Sequence, residues 1–164
     1  MNSQRQDIIQ RLKDEFLKIT TDNGYTRNVS KVTYCNLVLS DKTNFKANYA
    51  EVDFEPGADV TDDKGSENIL KVQLSILIKT FIETKSDLSE EGLIVNEAEE
   101  WLKNWEWFFY GKKEIAADKR CSLKGVAGVH KVTIVAKDPV FAKGHNKQTV
   151  AILLRIYFNQ YKLY

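Results

Sequence analysis

Two periods of hydrophobic residues alternate along the chain and predict the order helix, strands, helix, strands. From Ser3 to Ile19 the apolar positions recur every three or four residues, which is typical of an amphipathic helix. These positions are Ile8, Ile9, Leu12, Phe16 and Ile19. Ser3 and Gln6 fit a capping box at the start of this helix, and Asn23-Gly24 fits its end. Ile69–Glu83 and Gln148–Tyr161 instead alternate at period two, which predicts two long strands.

Shorter segments complete the predicted pattern. Tyr49–Phe54 alternates as a strand, and Pro56-Gly57 is expected to end it before a polar, acidic loop. Val29–Leu39 is β-rich, but its apolar residues keep to no single face. A second helix is expected to run to about Phe109 and to end at Gly111. Its apolar stripe comprises Ile94, Ala98, Trp101, Leu102, Trp105, Phe108 and Phe109. A further strand is predicted over Val129–Lys137.

This order predicts an α+β fold. A long loop joins the last two strands, so we expect them to pair antiparallel. Two apolar helix stripes are enough to cover one face of a sheet. No repeat and no linker divides the sequence, and its 164 residues suit a single domain over 1–164. The prediction is a mostly antiparallel sheet with two helices packed on one face.

The last predicted strand has a second face that is neither core nor plain solvent surface. One face is an apolar row from Val150 to Phe158, whereas the other mixes small, aliphatic and aromatic residues with Arg155. Aromatic residues and arginine are enriched at protein–protein interfaces. Leu77 and Phe81 interrupt the polar face of Ile69–Glu83 in the same way. The residues predicted to lie at a subunit interface are therefore Arg155, Tyr157, Tyr161, Leu77 and Phe81.

Composition narrows the classes of partner. The formal net charge is +1, which argues against an electrostatically driven partner such as DNA or an anionic membrane. A hydrophobic fraction of 43% indicates a globular protein rather than a disordered one. The opening residues have no apolar core of the kind found in signal peptides. No apolar run approaches the roughly 20 residues of a membrane span.

Few residues suggest chemistry. Cys35 and Cys121 are expected to be free thiols of a reducing cytoplasm rather than a disulfide pair. His130, in a predicted strand, and His145, in a loop, have no nearby second ligand of the kind that zinc requires. Asp59, Asp62 and Asp63 suggest calcium, but their spacing does not match a calcium-binding loop. No phosphate-binding or nucleophile motif occurs, so we expect neither an enzyme nor a cofactor.

Three tryptophans lie in the second helix. Trp101 and Trp105 are four residues apart and continue the apolar stripe, which favours burial over a ligand-stacking platform. Trp107 falls off this stripe and is the better candidate for an exposed contact.

The layout resembles the tail terminator proteins, also called tail completion or neck proteins, of long-tailed bacteriophages and prophages. Four stretches carry this resemblance. They are "IIQRLKDEFLKITTDNGY", "YAEVDFEPGADV", "ILKVQLSILIKTFIETKSDLSEEGLIVNEAEEWL" and "TVAILLRIYFNQY". Two segments depart from it, since "VSKVTYCNLVLSDKTNFK" is longer and "FFYGKKEIAADKRCSLKGVAGV" more elaborate than the layout requires. The resemblance is one of element order and includes no catalytic signature.

The resemblance implies a structural role in the virion. Such proteins form a ring, usually a hexamer, on the head-proximal end of the tail tube, where they stop tube polymerisation and present the head-joining surface. The implied partners are other copies of the chain, the tail tube protein and the head completion or connector protein. Neither sequence-specific nucleic acid nor membrane is implied. The implied location is the host bacterial cytoplasm during assembly and then the head–tail joint. The alternatives are another virion joint protein, for head completion or the tail tube, and a small ligand-binding module.

Overall fold

The computed structural model of the chain describes residues 3–34, 49–62, 69–83, 91–141 and 147–161. Its two helices are α1 (Gln4–Glu15) and α2 (Glu91–Tyr110). Its strands are β1 (Asn28–Tyr34), β2 (Tyr49–Asp62), β3 (Ile69–Glu83), β4 (Val129–Phe141) and β5 (Lys147–Tyr161). The predicted α+β fold is confirmed.

The strands form one sheet in the order β1-β2-β3-β5-β4. The pairs β2–β3, β3–β5 and β4–β5 are antiparallel, as predicted, whereas β1 runs parallel to β2 at one edge. The register of β1 shifts between Val29 and Lys31. This shift explains why the apolar residues of β1 follow no single face, because a bulge moves later side chains to the other side.

β2 differs from the prediction. It continues through Pro56-Gly57 to Asp62 instead of ending there. The register with β3 shifts between Pro56 and Asp59, and a bulge is one of the few places where a sheet tolerates proline. Asp59 then lies on the helix side of the sheet, where its carboxylate accepts a hydrogen bond from Arg5 Nε at 3.1 Å. The predicted acidic loop is therefore partly strand, and Asp63 lies outside the described residues.

The helices pack on one face of the sheet, and this is where the core forms. Ile8 and Leu12 of α1 and the following Phe16 belong to the same buried cluster as Trp101 and Trp105 of α2. The capping box at Ser3 and Gln6 is present, with Ser3 Oγ accepting from Gln6 N at 3.1 Å. The sheet contributes its buried rows, which are Val72, Leu74, Ile76 and Ile78 of β3 and Val150, Ile152, Leu154, Ile156 and Phe158 of β5. The predicted apolar faces of both long strands are confirmed.

Aromatic rings hold α2 against α1 and β3. Trp105 is fully buried, lies edge-on to Phe16 at 5.0 Å between ring centroids, and stacks on Phe109 at 5.9 Å. Its indole N–H donates to Thr80 Oγ1 at 2.9 Å, which satisfies a buried hydroxyl in an otherwise apolar row. Trp101 is also fully buried. The predicted burial of Trp101 and Trp105 is therefore confirmed.

A polar cluster connects α2 to the segment that precedes β1. The Arg27 guanidinium makes two hydrogen bonds to the Glu97 carboxylate, at 2.7 and 2.8 Å. Asn104 is buried and accepts from Thr26 N at 2.9 Å, while its amide donates to Thr26 Oγ1 at 2.7 Å. Hydrogen bonding to Glu97 raises the pKa of Arg27. The cluster fixes the edge strand to the helix layer by paired polar contacts.

The side chain of Gln4 joins the start of α1 to the end of β5. Its amide nitrogen donates to Ala127 O and to Asn159 O, both at 2.8 Å. Its oxygen accepts from Tyr161 N at 2.9 Å. Gln4 thus satisfies backbone groups where β5 ends, in the position that a neighbouring strand would occupy.

Candidate assembly surface

The sheet face opposite the helices is here called the open face. Its residues are set by the strand registers. Leu77 of β3 faces Leu153 of β5, Ser75 faces Arg155, and Gln73 faces Tyr157. Across β5, Thr133 and Lys131 of β4 face Arg155 and Tyr157. These side chains on β3 and β5 are only partly exposed.

Four of the five predicted interface residues lie together on the open face as accessible side chains. Leu77, Arg155 and Tyr157 are partly exposed, and Tyr161 is 59% exposed at the end of the strand. Phe81 also projects to this side of β3, but it is only 3% exposed. Phe81 is therefore covered within the single chain, and its place in a subunit interface stays a prediction. Period-two reasoning places a side chain on a face but does not show whether the chain itself covers it.

Arg155 is the distinctive residue of the open face. No hydrogen bond or ion pair joins it to another residue in the described part of the chain. Its neighbours in register are the hydroxyl residues Ser75 and Thr133, with Leu153 and Tyr157 on either side along β5. A guanidinium presents five N–H donors, and these remain available for a carboxylate or carbonyl on a partner.

Tyr157 is already part of a small contact group. The Lys131 ammonium lies 5.2 Å from its ring centroid, and the ring of the exposed His130 lies 6.4 Å away. A bulge between Val129 and Lys131 brings these two side chains near the same tyrosine. Sequence reasoning missed Lys131 because the bulge sets its face, and a period read from sequence does not place bulges.

Carboxylates occupy the other side of the open face. Lys79 Nζ lies 3.5 Å from Glu55 Oε2 and 4.0 Å from Asp53 Oδ2. Asp53 is buried and accepts from Thr33 Oγ1 at 3.0 Å, whereas the Glu55 side chain is 44% exposed. The open face is therefore negative towards β2 and positive towards β5 and β4. The period of β3 is enough to place Lys79 on this face. Placing Glu55 on it also requires the register between β2 and β3.

A cleft beside the end of α2 is the second candidate. It has a volume of about 380 Å³ and is lined by Phe109, Tyr110, Gly111, Ala117, Arg120, Cys121, Leu123, Lys124 and Val132. Arg120 is committed to the turn after α2, donating to Ile115 O at 2.9 Å and Lys112 O at 2.5 Å. Burial raises the pKa of the Cys121 thiol to about 11, so it is protonated near neutral pH. These groups stabilise the loop and do not form an activated nucleophile.

The other residues singled out for chemistry are spread over the molecule. Cys121 is a free thiol, while Cys35 and His145 lie outside the described residues. Within the ranges that the structure describes, no three His, Cys, Asp or Glu side chains are grouped so as to hold a metal ion. Trp107 is partly exposed, with the Lys112 ammonium 3.8 Å from its ring centroid. It therefore presents a ring whose face a lysine already occupies.

Glu15 is a buried carboxylate with several donors. Lys18 Nζ lies 2.6 Å from Glu15 Oε2. Glu15 Oε1 accepts hydrogen bonds from Arg11 Nε at 2.9 Å and from the Ser122 hydroxyl at 2.7 Å. Burial alone would raise the pKa of this carboxyl, but hydrogen bonds from Lys18 and Ser122 outweigh burial and lower the pKa below its ordinary value. Glu15 thereby fastens the end of α1 to the loop that follows α2.

We expect Glu15→Gln to lower stability in a pH-dependent way. Because the carboxyl pKa is lower in the folded state, its stabilising effect is present above the unfolded pKa and is lost as pH falls through the folded pKa. At pH 7 the substitution is expected to lower the free energy of unfolding by about 1.5–3 kcal/mol, as for hydrogen bonds to charged groups. Urea denaturation at about pH 7 and about pH 3 measures the difference, which is expected to shrink at the lower pH. An equal difference at both values would contradict this assignment.

Comparisons with known proteins add no family to this picture. No protein-family model matches the chain, and no curated protein matches its sequence. Among the described helices, none has the combination of length and apolar character that crossing a bilayer requires. The candidate function therefore depends on the open face and on the layout of the elements.

Proposed function

We propose that this protein is a phage or prophage tail terminator, a structural protein that forms a ring on the head-proximal end of the tail tube. The observation that carries the proposal is the open face with Arg155 at its centre. Helices pack on one side of the sheet, while the other presents Leu77, Leu153 and Tyr157 beside a guanidinium that has no partner among the described residues. Such a mixture is typical of a surface that meets another protein.

A ring places two requirements on its subunit. Each copy must present two different surfaces that fit each other, because a ring is closed by one repeated head-to-tail contact. A ring that ends a tube must also leave a surface that does not accept another tube ring. In this proposal the open face supplies one of the contact surfaces, either towards the neighbouring subunit or towards the last ring of the tube. The helix-covered side is then available for the head completion protein.

Deleting the gene from the phage or prophage that encodes it tests the role directly. We expect particles whose tails vary in length and do not join filled heads, measured by electron microscopy of lysates. Gold-labelled antibody is expected to mark the head–tail joint of wild-type particles. Label along the whole tube or inside the head would instead indicate one of the alternative virion roles. Absence of the protein from particles would reject a virion role.

The Arg155→Glu variant tests the surface. Because Arg155 has no intramolecular partner in the described structure, we expect its melting temperature to stay close to that of the wild type. Complementation of the deletion is nevertheless expected to fail, since the reversed charge meets the same partner. Lys113→Glu, which makes an equal charge change in the exposed turn after α2, is the control and is expected to complement. A large loss of stability together with normal assembly would show that Arg155 serves its own chain.

A further inference from the structure

The open face carries opposite charges on the two sides of its middle strand. Glu55 on β2 pairs in register with Leu77 of β3, and its side chain is 44% exposed. Arg155 on β5 pairs with Ser75 of β3. Ser75 is two residues from Leu77 and is therefore its neighbour along β3 on the same face. Since β2 and β5 are the two neighbours of β3, the acid and the base lie on opposite sides of one strand.

This arrangement of charges allows the open faces of two copies to meet with opposite charges near each other. When two sheets pack face to face about a two-fold axis parallel to β3, β5 of one copy lies over β2 of the other. Arg155 then lies over the row next to Glu55 of the second copy. Packed sheets are about 10 Å apart, a gap that an arginine and a glutamate side chain span together. The same operation places Leu77 of one copy over Leu77 of the other at the centre of the contact, with Leu153 beside it in the row of Glu55.

We propose that the open face binds a second copy of this chain in a two-fold, face-to-face pair, in which Arg155 of each copy contacts Glu55 of the other. Glu55 remains able to accept, because its ion pair within the described residues is with one lysine, Lys79, at 3.5 Å, and a carboxylate has several acceptor positions. The pair brings an acceptor to the guanidinium that has none among the described residues. It also covers the aliphatic side chains that the single chain leaves partly exposed.

The size of the contact indicates a weak pair. The strands that overlap in it are β2, β3 and β5, which together are roughly 14 Å wide, and from Lys71 to Lys79 the contact is roughly 27 Å long. This gives roughly 400 Å² per copy, or about 800 Å² in total, which is in the range of weak and transient contacts. The pair is a weak, concentration-dependent dimer that forms in the free protein.

The dimer does not rest on the proposed virion role, but it has a consequence for it. A two-fold contact uses the same patch on both copies and ends at two subunits, whereas a head-to-tail contact continues to a ring or filament. If the open face also serves the tail, the pair must separate before a subunit can join the ring. Dimer formation would then keep free subunits from binding one another through the surfaces that form the ring.

Sedimentation equilibrium of the purified full chain tests the pair, from about 10 µM to about 1 mM. The wild type is expected to shift reversibly from the 18.9 kDa monomer to twice this mass and no further. Arg155→Glu alone and Glu55→Arg alone are each expected to weaken dimerisation about tenfold or more, because two ion pairs become two repulsions. An equimolar mixture of the two variants is expected to dimerise again, since both contacts are then oppositely charged.

Matched controls separate this effect from general charge changes. Lys113→Glu and Glu114→Arg make the same charge changes in an exposed turn away from the open face, and both are expected to dimerise as the wild type does. Recovery in the mixture shows that both single variants are folded. A monomer at every concentration, species larger than two, or failure of the mixture to recover would each overturn the pair. None of these outcomes bears on the virion role, which is tested on particles.

Discussion

Replacing Trp105 with alanine is expected to lower the free energy of unfolding by about 3–5 kcal/mol, as for other large aromatic residues removed from cores. Trp105 is fully buried where α1, α2 and β3 meet, and its ring contacts Phe16 and Phe109. The substitution leaves a large cavity and also removes the hydrogen-bond donor of the buried Thr80 hydroxyl. Chemical denaturation followed by circular dichroism measures the loss.

Trp107→Ala is the matched control for this substitution. Trp107 lies on the same helix and is partly exposed, and its ring face contacts a lysine. We expect a loss below about 1.5 kcal/mol, because less surface is removed from a packed environment. A loss of under about 1 kcal/mol for Trp105→Ala would mean that the buried face of α2 is assigned wrongly.

Gly128→Ala is expected to cost at least about 2–3 kcal/mol, since two separate penalties combine. Gly128 has a φ of +82°, in the left-handed region where residues with a side chain are strained. A Cβ added there would lie 2.6 Å from the backbone oxygen of Asn159. Relief of this clash would move the 127–128 turn away from β5 and disturb the hydrogen bonds that Gln4 makes to both segments.

Gly125→Ala separates the two penalties. Gly125 has a similar φ of +87°, but an added Cβ there meets nothing within 4 Å. Its expected cost is about 1 kcal/mol, from backbone strain alone. If both alanine variants lower the free energy of unfolding equally in the same denaturation measurement, the close approach to Asn159 contributes nothing to the cost of Gly128→Ala.

The hydrophobic period predicted those helices and strands in which a single period runs without interruption. The alternation of Ile69–Glu83 gave both its bounds and its buried face, because an uninterrupted strand keeps one side to the core. The stripe of α1 and the positions of Trp101 and Trp105 followed from helical spacing in the same way. The capping box at Ser3 was also readable, since it depends on two residues at a fixed separation.

Features that depend on pairing between distant segments could not be predicted. The strand through Pro56-Gly57 exists because β3 pairs on both sides of a bulge, and local sequence read alone predicts an end there. Glu55 entered the candidate surface only through its register with Leu77. Phe81 was placed on the correct side of β3, but its burial depends on the rest of the chain. Gln4 gave no signal at all, since its partners lie at the other end of the sequence.

The strand order has a consequence for how the chain folds. β5 lies between β3 and β4 in the sheet, although α2 and β4 separate it from β3 in sequence. During synthesis on a ribosome, β3 therefore keeps one long edge unpaired until β5 has emerged. Non-local pairing of this kind slows folding, and an exposed apolar strand edge favours aggregation in the meantime. The last described strand is thus an interior strand of the sheet rather than an edge strand. The hydrophobic core can form completely only after β5 has been synthesised.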